Sequence, residues 1–296
     1  MKKFIILIPL FNDWKSVSKL LNEIDLQTSN WDAEISILIV NDASTEKRSE
    51  LGSDFKKIKL VKILNMKANK VHQRCIAAGL KYICKNEYFD RVIVMDADGE
   101  DRPEELNDFF KKAQENPNMT ITGNRFKRSE GVVFKVLYEM HKVLTLIFTG
   151  KLIKFGNFTC LPKHHVQKLI EKSYLWNSYS SSVVRTINDR LSISSIRGKR
   201  YVLPSKMNLF GLFFHSLTII SVFKKEVIIR SIIFFLVYLF FIFNNISILT
   251  FFPIFCLLIF VFIILKISKR SSIELFDKSL ENIGSIDILY SSNGGQ

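Results

Sequence analysis

The sequence predicts a mostly parallel α/β sheet with helices on both faces, followed by a pair of apolar helices. Three observations predict it. Short apolar runs alternate with amphipathic helical patterns through about the first 125 residues, the alternation that builds βαβ units. Polar and acidic residues collect where those runs end. Beyond Ser231 the composition changes to "SIIFFLVYLFFIFNNISILTFFPIFCLLIFVFIILK", which water-soluble folds rarely carry.

The elements follow in order. "MKKFIILIPLFND" opens with two lysines and an apolar run, as a secretory leader does. Asn12 and Asp13 stand where a small-residue cleavage site belongs, so Phe4–Leu10 reads as a buried first strand. Trp14, Val17, Leu20, Leu21 and Ile24 mark the apolar face of a helix, and Cys75, Ile76, Leu80 and Ile83 mark another. Glu34–Val40, Lys57–Leu64, Arg91–Asp96 and Met119–Gly123 read as further strands. In such sheets ligands sit at the carboxyl ends of strands. Asn12 and Asp13, Asn41 and Asp42, and Asp96 and Asp98 occupy those ends.

Gly131–Gly150 has the pattern of an amphipathic helix with Lys135, Glu139 and Lys142 on its wet side. Ser205–Phe223 is more apolar, interrupted by Asn208 and His215. Each fits either a membrane-surface helix or an ordinary core helix. Val227–Phe243 and Ile246–Leu265 have bilayer length, for which about 17–20 residues are needed. Asn244-Asn245 leaves room only for a tight hairpin. Lys224, Lys225 and Arg230 flank the entry, and Lys266, Lys269 and Arg270 the exit, which puts both flanks on the cytoplasmic side. The expected divisions are a catalytic domain over 1–204, a membrane-surface helix region over 205–226, two transmembrane helices over 227–266 and a polar cytoplasmic tail over 267–296, disordered at its tip.

The formal net charge is +14 over 296 residues. With an apolar carboxyl-terminal region, that excess fits an anionic membrane and phosphorylated ligands. No aromatic-and-basic signature of nucleic-acid binding accompanies it, so no nucleic-acid partner is expected. Cys75, Cys84, Cys160 and Cys256 form no CxxC pair and read as reduced thiols.

The chemistry concentrates in "VIVMDADGEDRPEEL" (Val92–Leu106). Asp96, Asp98, Glu100, Asp101 and Glu104 crowd behind a buried strand, where like charges raise one another's pKa. A hard divalent cation, Mg²⁺ or Mn²⁺, takes oxygen ligands and commonly shares them with substrate phosphates. Such an ion also neutralises a departing diphosphate. Pro103 and the acids around it suit a helix's first turn, which makes Glu104 a dipole partner.

Here the chain resembles glycosyltransferase family 2, whose fold is the GT-A nucleotide-sugar fold. "IPLFND" resembles the family's Pro-x-Tyr-Asn-Glu element, "VNDAST" its Asp-Asp-Gly-Ser-Thr element, and "MDADGEDRPEE" its Asp-Ala-Asp-Leu-Gln-Asp-Pro-Pro-Glu element. The last belongs to the branch of polyprenyl-phosphate glycosyltransferases and dolichyl-phosphate mannose synthase. The likeness covers roughly the first 220 residues, and the paired apolar helices suit the same branch.

The resemblance implies a metal-dependent, inverting transfer from a nucleoside diphosphate sugar to a membrane acceptor, with polyprenyl phosphate preferred. A lipid-linked saccharide or surface-polymer precursor is the alternative acceptor. A homo-oligomer fits such an enzyme, and a non-catalytic membrane scaffold is the rival of another class. A nucleotidyltransferase lacks support because no Gly-rich loop follows the first strand. By the same resemblance Pro9, Phe11 and Asp13 line the nucleotide pocket, Phe11 having core packing as its equal alternative. Asp42 contacts base or ribose, or caps a helix. Asp96 sits near ribose and metal, and Asp98 binds the metal with Glu100 as a further ligand. Arg125, Lys127 and Arg128 reach a donor or lipid phosphate. Arg200, Ser205 and Lys206 close over the donor. Arg74, in "VHQRCIAAGL", reaches a phosphate or a surface ion pair. In "FGNFTC" the resemblance places Asn157 where many relatives carry Asp. An amide cannot serve as a base, so either the acceptor is a phosphate, which is already anionic near neutrality and needs none, or the base lies elsewhere.

Overall fold

The computed structural model describes residues 1–49, 52, 54–127, 132–202, 209–245 and 247–292. Among these the sheet has eight strands: β1 (Lys2–Leu10), β2 (Ala33–Asn41), β3 (Ile58–Met66), β4 (Arg91–Val94), β5 (Thr120–Lys127), β6 (Phe155–Pro162), β7 (Arg190–Ile196) and β8 (Ile283–Ser291). They lie in the order β7-β5-β6-β4-β1-β2-β3-β8. The pairs β1/β2, β1/β4, β2/β3 and β5/β7 are parallel, whereas β6 runs antiparallel to β4 and β5, and β8 antiparallel to β3.

Both faces of the sheet are buried, which is why its central strands are continuous apolar runs. Along β1, Phe4, Ile6 and Ile8 enter one core with Trp14, Val17 and Leu21 of helix α1 (Trp14–Gln27). Ile5 and Leu7 point oppositely, into a second core with Cys75, Ile76 and Leu80 of helix α2 (His72–Asn86). At Gly79 that helix approaches β1 so closely that a Cβ would stand 2.5 Å from Leu7 Cδ1. Helices α3 (Leu106–Glu115), α4 (Val132–Thr149), α5 (Lys163–Ile170) and α6 (Tyr179–Thr186) follow the middle strands.

Helices α7 (Leu209–Ser221), α8 (Lys224–Ile242) and α9 (Ile248–Ser268) pack with the end of α4. Leu217, Ile220, Val227, Ile264 and Ile267 form their core, with Phe148 and Phe260 rings 4.4 Å apart. Elsewhere α8 and α9 expose large apolar side chains such as Phe240, Phe252 and Phe262. Helices α8 and α9 contact each other, α8 ending at Ile242 and α9 starting at Ile248. Among the described residues one segment, beginning at Ile248 with mean hydropathy 3.1, is long and apolar enough to cross a membrane. Charges in the first turns of α8, from Lys224 to Arg230, shorten its apolar part. Arg230 donates to the Ile147 carbonyl at 3.0 Å.

The polar tail departs most from expectation. Past helix α10 (Ile273–Asp277) the chain returns to the sheet as β8, sealing the β3 edge. Lys81, 5 % exposed, donates to the Phe276 carbonyl and to Asp277 Oδ1, both at 2.9 Å. Ile286, Asp287 and Ile288 alternate, but Leu289 and Tyr290 break the period, so no clean strand pattern marks the segment. The tip, residues 293–296, lies outside the described residues. β6 and β7 also went unpredicted, since "FGNFTCLP" and "RLSISSI" carry small and polar residues within their apolar pattern.

Candidate active site

Parallel β1, β2 and β4 end on one edge, and the loops beyond them form the site. Asn12, at φ 50°, stitches the first two loops together. Its backbone N–H donates to Ser44 Oγ at 2.9 Å, and its Oδ1 accepts from the backbone N–H groups of Thr45 and Glu46 at 2.8 and 3.0 Å. Pro9 is buried within β1, whereas Phe11 is 43 % exposed. Exposure of that ring removes the core-packing alternative and leaves it facing solvent beside the loop. Asp13 Oδ1 accepts from Ser16 Oγ at 2.5 Å, and Oδ2 is 3.3 Å from Arg200.

Asp42 is 2 % exposed, and its carboxylate accepts from the backbone N–H groups of Lys70 at 2.7 Å and Val71 at 2.9 Å. The structure thus puts it beside the entry of α2, fixing the backbone before the helix; the N-cap position itself is Val71, with no side-chain cap. Val71 has φ 76° and ψ 147°, a region that β-branched residues avoid, and Asp42 holds it there.

The acidic run follows β4. Each of four carboxylates has its own basic partner, and these partners are the positive charge that the crowding requires. Asp96 Oδ1 lies 3.0 Å from His72 Nε2 and accepts from Asn157 Nδ2 at 2.9 Å. Asp98 Oδ2 meets Arg200 at 2.9 Å. Glu100 Oε2 meets two nitrogens of Arg197 at 2.5 and 2.8 Å. Asp101 Oδ1 meets Arg125 at 3.0 Å, while its Oδ2 accepts from the Asp96 backbone N–H at 2.9 Å.

The balance is incomplete. Burial, with the charges of Asp96 and Glu100, pushes the Asp98 carboxyl up to about 6. Burial and Asp96 push Asp101 up to about 7 in spite of Arg125. Burial also opposes ionisation of Asp96, yet His72, Arg125 and Asn157 hold it well below the usual carboxylate range. For His72 burial is outweighed by Asp96, which raises the imidazole above its ordinary value. Negative charge at Asp98 therefore still lacks compensation, and hard oxygen donors in that condition fit a divalent cation. Among the described residues no three carboxylate, imidazole or thiol groups converge as a ready cage.

A strap crosses the acidic loop. Ile196 N–H donates to Glu105 Oε1 at 2.8 Å, Gly198 N–H to the Glu100 carbonyl at 2.8 Å and Tyr201 N–H to the Asp98 carbonyl at 2.9 Å. Gly99, at φ 83°, lies under the Tyr201 ring, where a Cβ would stand 2.6 Å away.

Several expected site residues are placed differently from expectation. Arg125 is only 11 % exposed and bound to Asp101, so it supports the acidic loop from behind rather than presenting itself to a phosphate. Glu100 is committed to Arg197. Arg74 lies over the Trp176 ring, 5.2 Å from its centroid. Arg128, Ser205 and Lys206 lie outside the described residues, as does the Lys127 side chain. Asp96 and Asp98 emerge together at the sheet edge as expected. Sequence reasoning missed Asp101, His72, Gln73 and Arg197 as parts of this network. Asp101 was hidden by its acidic neighbours, and Arg197 by lying about a hundred residues from its partner.

The sequence profile described as glycosyl transferase family 2 matches residues 5–178. The chain is 23% identical over 172 residues to the undecaprenyl-phosphate 4-deoxy-4-formamido-L-arabinose transferase of Klebsiella pneumoniae, covering 57% of this chain and 50% of that protein. The match thus spans half the relative's length. Among solved structures, glucosyl-3-phosphoglycerate synthase from Mycobacterium tuberculosis, in complex with Mn²⁺, UDP-glucose and phosphoglyceric acid, superposes with TM-score 0.51 at 10% identity, covering 76% of this chain and 80% of that one. Mannosyl-3-phosphoglycerate synthase from Rubrobacter xylanophilus does so with TM-score 0.50 at 11% identity, covering 76% and 74%. At these identities the likeness establishes the fold, which is GT-A.

Proposed function

Because the chain belongs to glycosyl transferase family 2, we propose that it transfers a sugar, with inversion, from a nucleoside diphosphate sugar to polyprenyl phosphate at a membrane surface. One observation carries the acceptor reading. The acidic end of β4 lies beside strand β6, whose first residue, Phe155, packs against the core that holds Ile219 and Val222 at the end of α7 and its following turn. A lipid-borne acceptor reaching along the apolar helices therefore arrives at Asp96. The Klebsiella relative, whose name states an undecaprenyl-phosphate substrate, supports the same reading.

The geometry supports the following residue roles. Phe11, Asp13 and the loop stitched by Asn12 border the nucleotide. Asp98 and Asp96 would hold Mg²⁺ or Mn²⁺, which when bound supplies positive charge to the donor diphosphate. Arg200 stands between Asp13 and Asp98, within reach of that diphosphate. Asp101 and Arg125 keep the acidic loop in place from below. Arg128, Ser205 and Lys206 remain proposed phosphate contacts by resemblance.

The anchor is proposed to cross twice, with the sheet in the cytoplasm. Strand β8 follows the apolar pair yet belongs to the same sheet as β1. The chain must therefore cross an even number of times. If α9 spans, α8 is the partner available to make the other crossing, and basic residues at both outer ends favour a cytoplasmic location. The division into a catalytic region over 1–204, a surface helix region over 205–226 and a hairpin over 227–266 is kept, with the tail reassigned to the sheet.

The test uses purified full chain, Mg²⁺ or Mn²⁺, a panel of labelled sugar nucleotides and short-chain polyprenyl phosphate. Label entering the organic phase as an acid-labile glycosyl phosphate is the expected result. Transfer to lipid-linked saccharide alone, with polyprenyl phosphate ignored for every donor, would replace the acceptor reading.

A further inference from the structure

Helix α9 ends against the catalytic sheet at a pair of arginines that no acid balances. Arg74, in the first turn of α2, lies over the Trp176 ring, 5.2 Å from its centroid. Arg270, two residues past the end of α9, lies over the Phe214 ring of α7, 5.0 Å from its centroid. One carbonyl ties the two surroundings together. Ile267 O accepts the Arg270 backbone N–H at 3.0 Å and, at 3.3 Å, the side-chain amide of Asn177, the residue after Trp176. Burial, and then the charge of Arg270, push Arg74 below its ordinary value, as neighbouring like charges require.

Neither guanidinium can shed its charge near neutrality. Among the described residues neither is paired with a carboxylate. Asp42, which favours the charged form of Arg74, already accepts the backbone N–H groups of Lys70 and Val71. Lys266 in the last turn of α9 and Lys269 at its end add further positive charge. The counter-charge is left to something outside the chain, and the position says what. Arg270 is exposed and follows the helix long and apolar enough to cross a membrane. Phe213, beside the ring under Arg270, is 59 % exposed. A phosphate carrying an acyl tail fits both the cations and the exposed ring, whereas free phosphate uses the cations alone.

We propose that Arg74 and Arg270 together hold the phosphate of an anionic phospholipid headgroup, which clasps the catalytic sheet to its anchor at the membrane surface. The inference rests on the anchor reading and not on the choice of acceptor. A guanidinium can bind two phosphate oxygens at once, so one headgroup serves both side chains. Arg74 belongs to the helix whose first residue, His72, lies 3.0 Å from Asp96. A headgroup held there therefore sets the position of the acidic edge relative to the bilayer.

The test titrates the detergent-solubilised full chain with phosphatidylglycerol, phosphatidylcholine, short-chain polyprenyl phosphate or inorganic phosphate, reading bound lipid by native mass spectrometry. Wild type should prefer phosphatidylglycerol to phosphatidylcholine, and inorganic phosphate should not compete. Arg74→Gln and Arg270→Gln should each weaken phosphatidylglycerol binding about tenfold or more, as loss of a hydrogen bond to a charged group does. Lys269→Gln should lose at most about fivefold, the effect of one surface cation. The double arginine variant should lose less than the product of the single losses, because both side chains hold one ligand. Arg270 is exposed, so its variant keeps the test readable should Arg74→Gln fail to fold. Equal affinity for the two phospholipids, or a loss for Lys269→Gln as large as for the arginines, overturns the site. Tighter binding of polyprenyl phosphate or inorganic phosphate through the same arginines overturns the phospholipid assignment. Flotation of wild type with phosphatidylcholine vesicles tests the anchor separately. A chain that floats without preferring phosphatidylglycerol loses only this inference, and one that does not float loses the anchor as well.

Discussion

Breaking the Asp101–Arg125 pair from either side should have unequal effects, and the structure says which side costs more. Asp101 is 1 % exposed and its partner guanidinium 11 %. Removing one member of a buried pair usually costs about 3–5 kcal/mol, because the other charge is left uncompensated. The two residues differ in their escape. Burial and Asp96 already push Asp101 up to about 7, so without Arg125 it takes up a proton and becomes neutral. Arginine has no neutral form to adopt near neutrality. Asp101→Ala should therefore show the full loss, and it also orphans the Asp96 N–H. For a domain of this size about 2–4 °C accompany each kcal/mol, so the melting temperature should fall about 6–20 °C. Arg125→Leu should lose markedly less. The double variant should melt above Asp101→Ala, since removing the stranded guanidinium repairs part of the damage. Thermal unfolding of the detergent-solubilised protein measures all four corners of the cycle. Additive losses, or a larger loss for Arg125→Leu, would refute the reasoning.

Three further outcomes follow. Asp98→Asn should keep the fold and lose roughly 10²–10³ in turnover, as when one electrostatic stabiliser is removed; near-wild-type turnover at saturating donor would reject its role. Asp98 and Asp101 hold protons up to about 6 and 7 in the folded protein, whereas the unfolded chain releases them near 3.9. Stability without added metal should therefore fall as pH rises from about 4 to 7, and added Mg²⁺ should lessen that fall; Asp96, held low, contributes only to losses below that window. A flat melting temperature across pH 4.5–7.5, read with and without Mg²⁺, would contradict both points. Val71→Gly removes a strained conformation worth about 1–3 kcal/mol but adds about 0.5–1 kcal/mol of unfolded-state freedom, so the variant should gain stability, on the order of 1 kcal/mol; a loss on chemical denaturation would show that the valine side chain, not its backbone, matters there.

The sequence was most informative where one physical signal dominated. Buried on both faces over most of their length, β1 and β2 carry long apolar runs, and those runs were legible. Asp96 and Asp98 were legible because a buried strand can release carboxylates only where it ends, at the edge of the sheet. β7 failed for the opposite reason: it is an edge strand whose residues are largely half-exposed, so "RLSISSI" needs little apolar character. β8 failed likewise, and its partner lies some 220 residues away, beyond any local pattern. In the site, composition showed that carboxylates crowd but not which cation each one holds. Arg197 with Glu100 and His72 with Asp96 are pairings that only the folded chain brings together. Arg125 was read as a cation that reaches a phosphate, whereas the folded chain buries it against Asp101 at 3.0 Å, because exposure is not written in residue type.

The return of the chain to β3 also orders events during synthesis. When β3 emerges from the ribosome its outer edge has no partner, and β8 is made some 220 residues later. In between, the apolar helices α8 and α9 are made. An unpaired edge is a hazard for association with other chains, and long-range closure is slow. The catalytic sheet is thus completed only after the apolar pair has been made. The order of synthesis therefore leaves the β3 edge open until β8 is made, and makes the last strand a condition for a finished sheet.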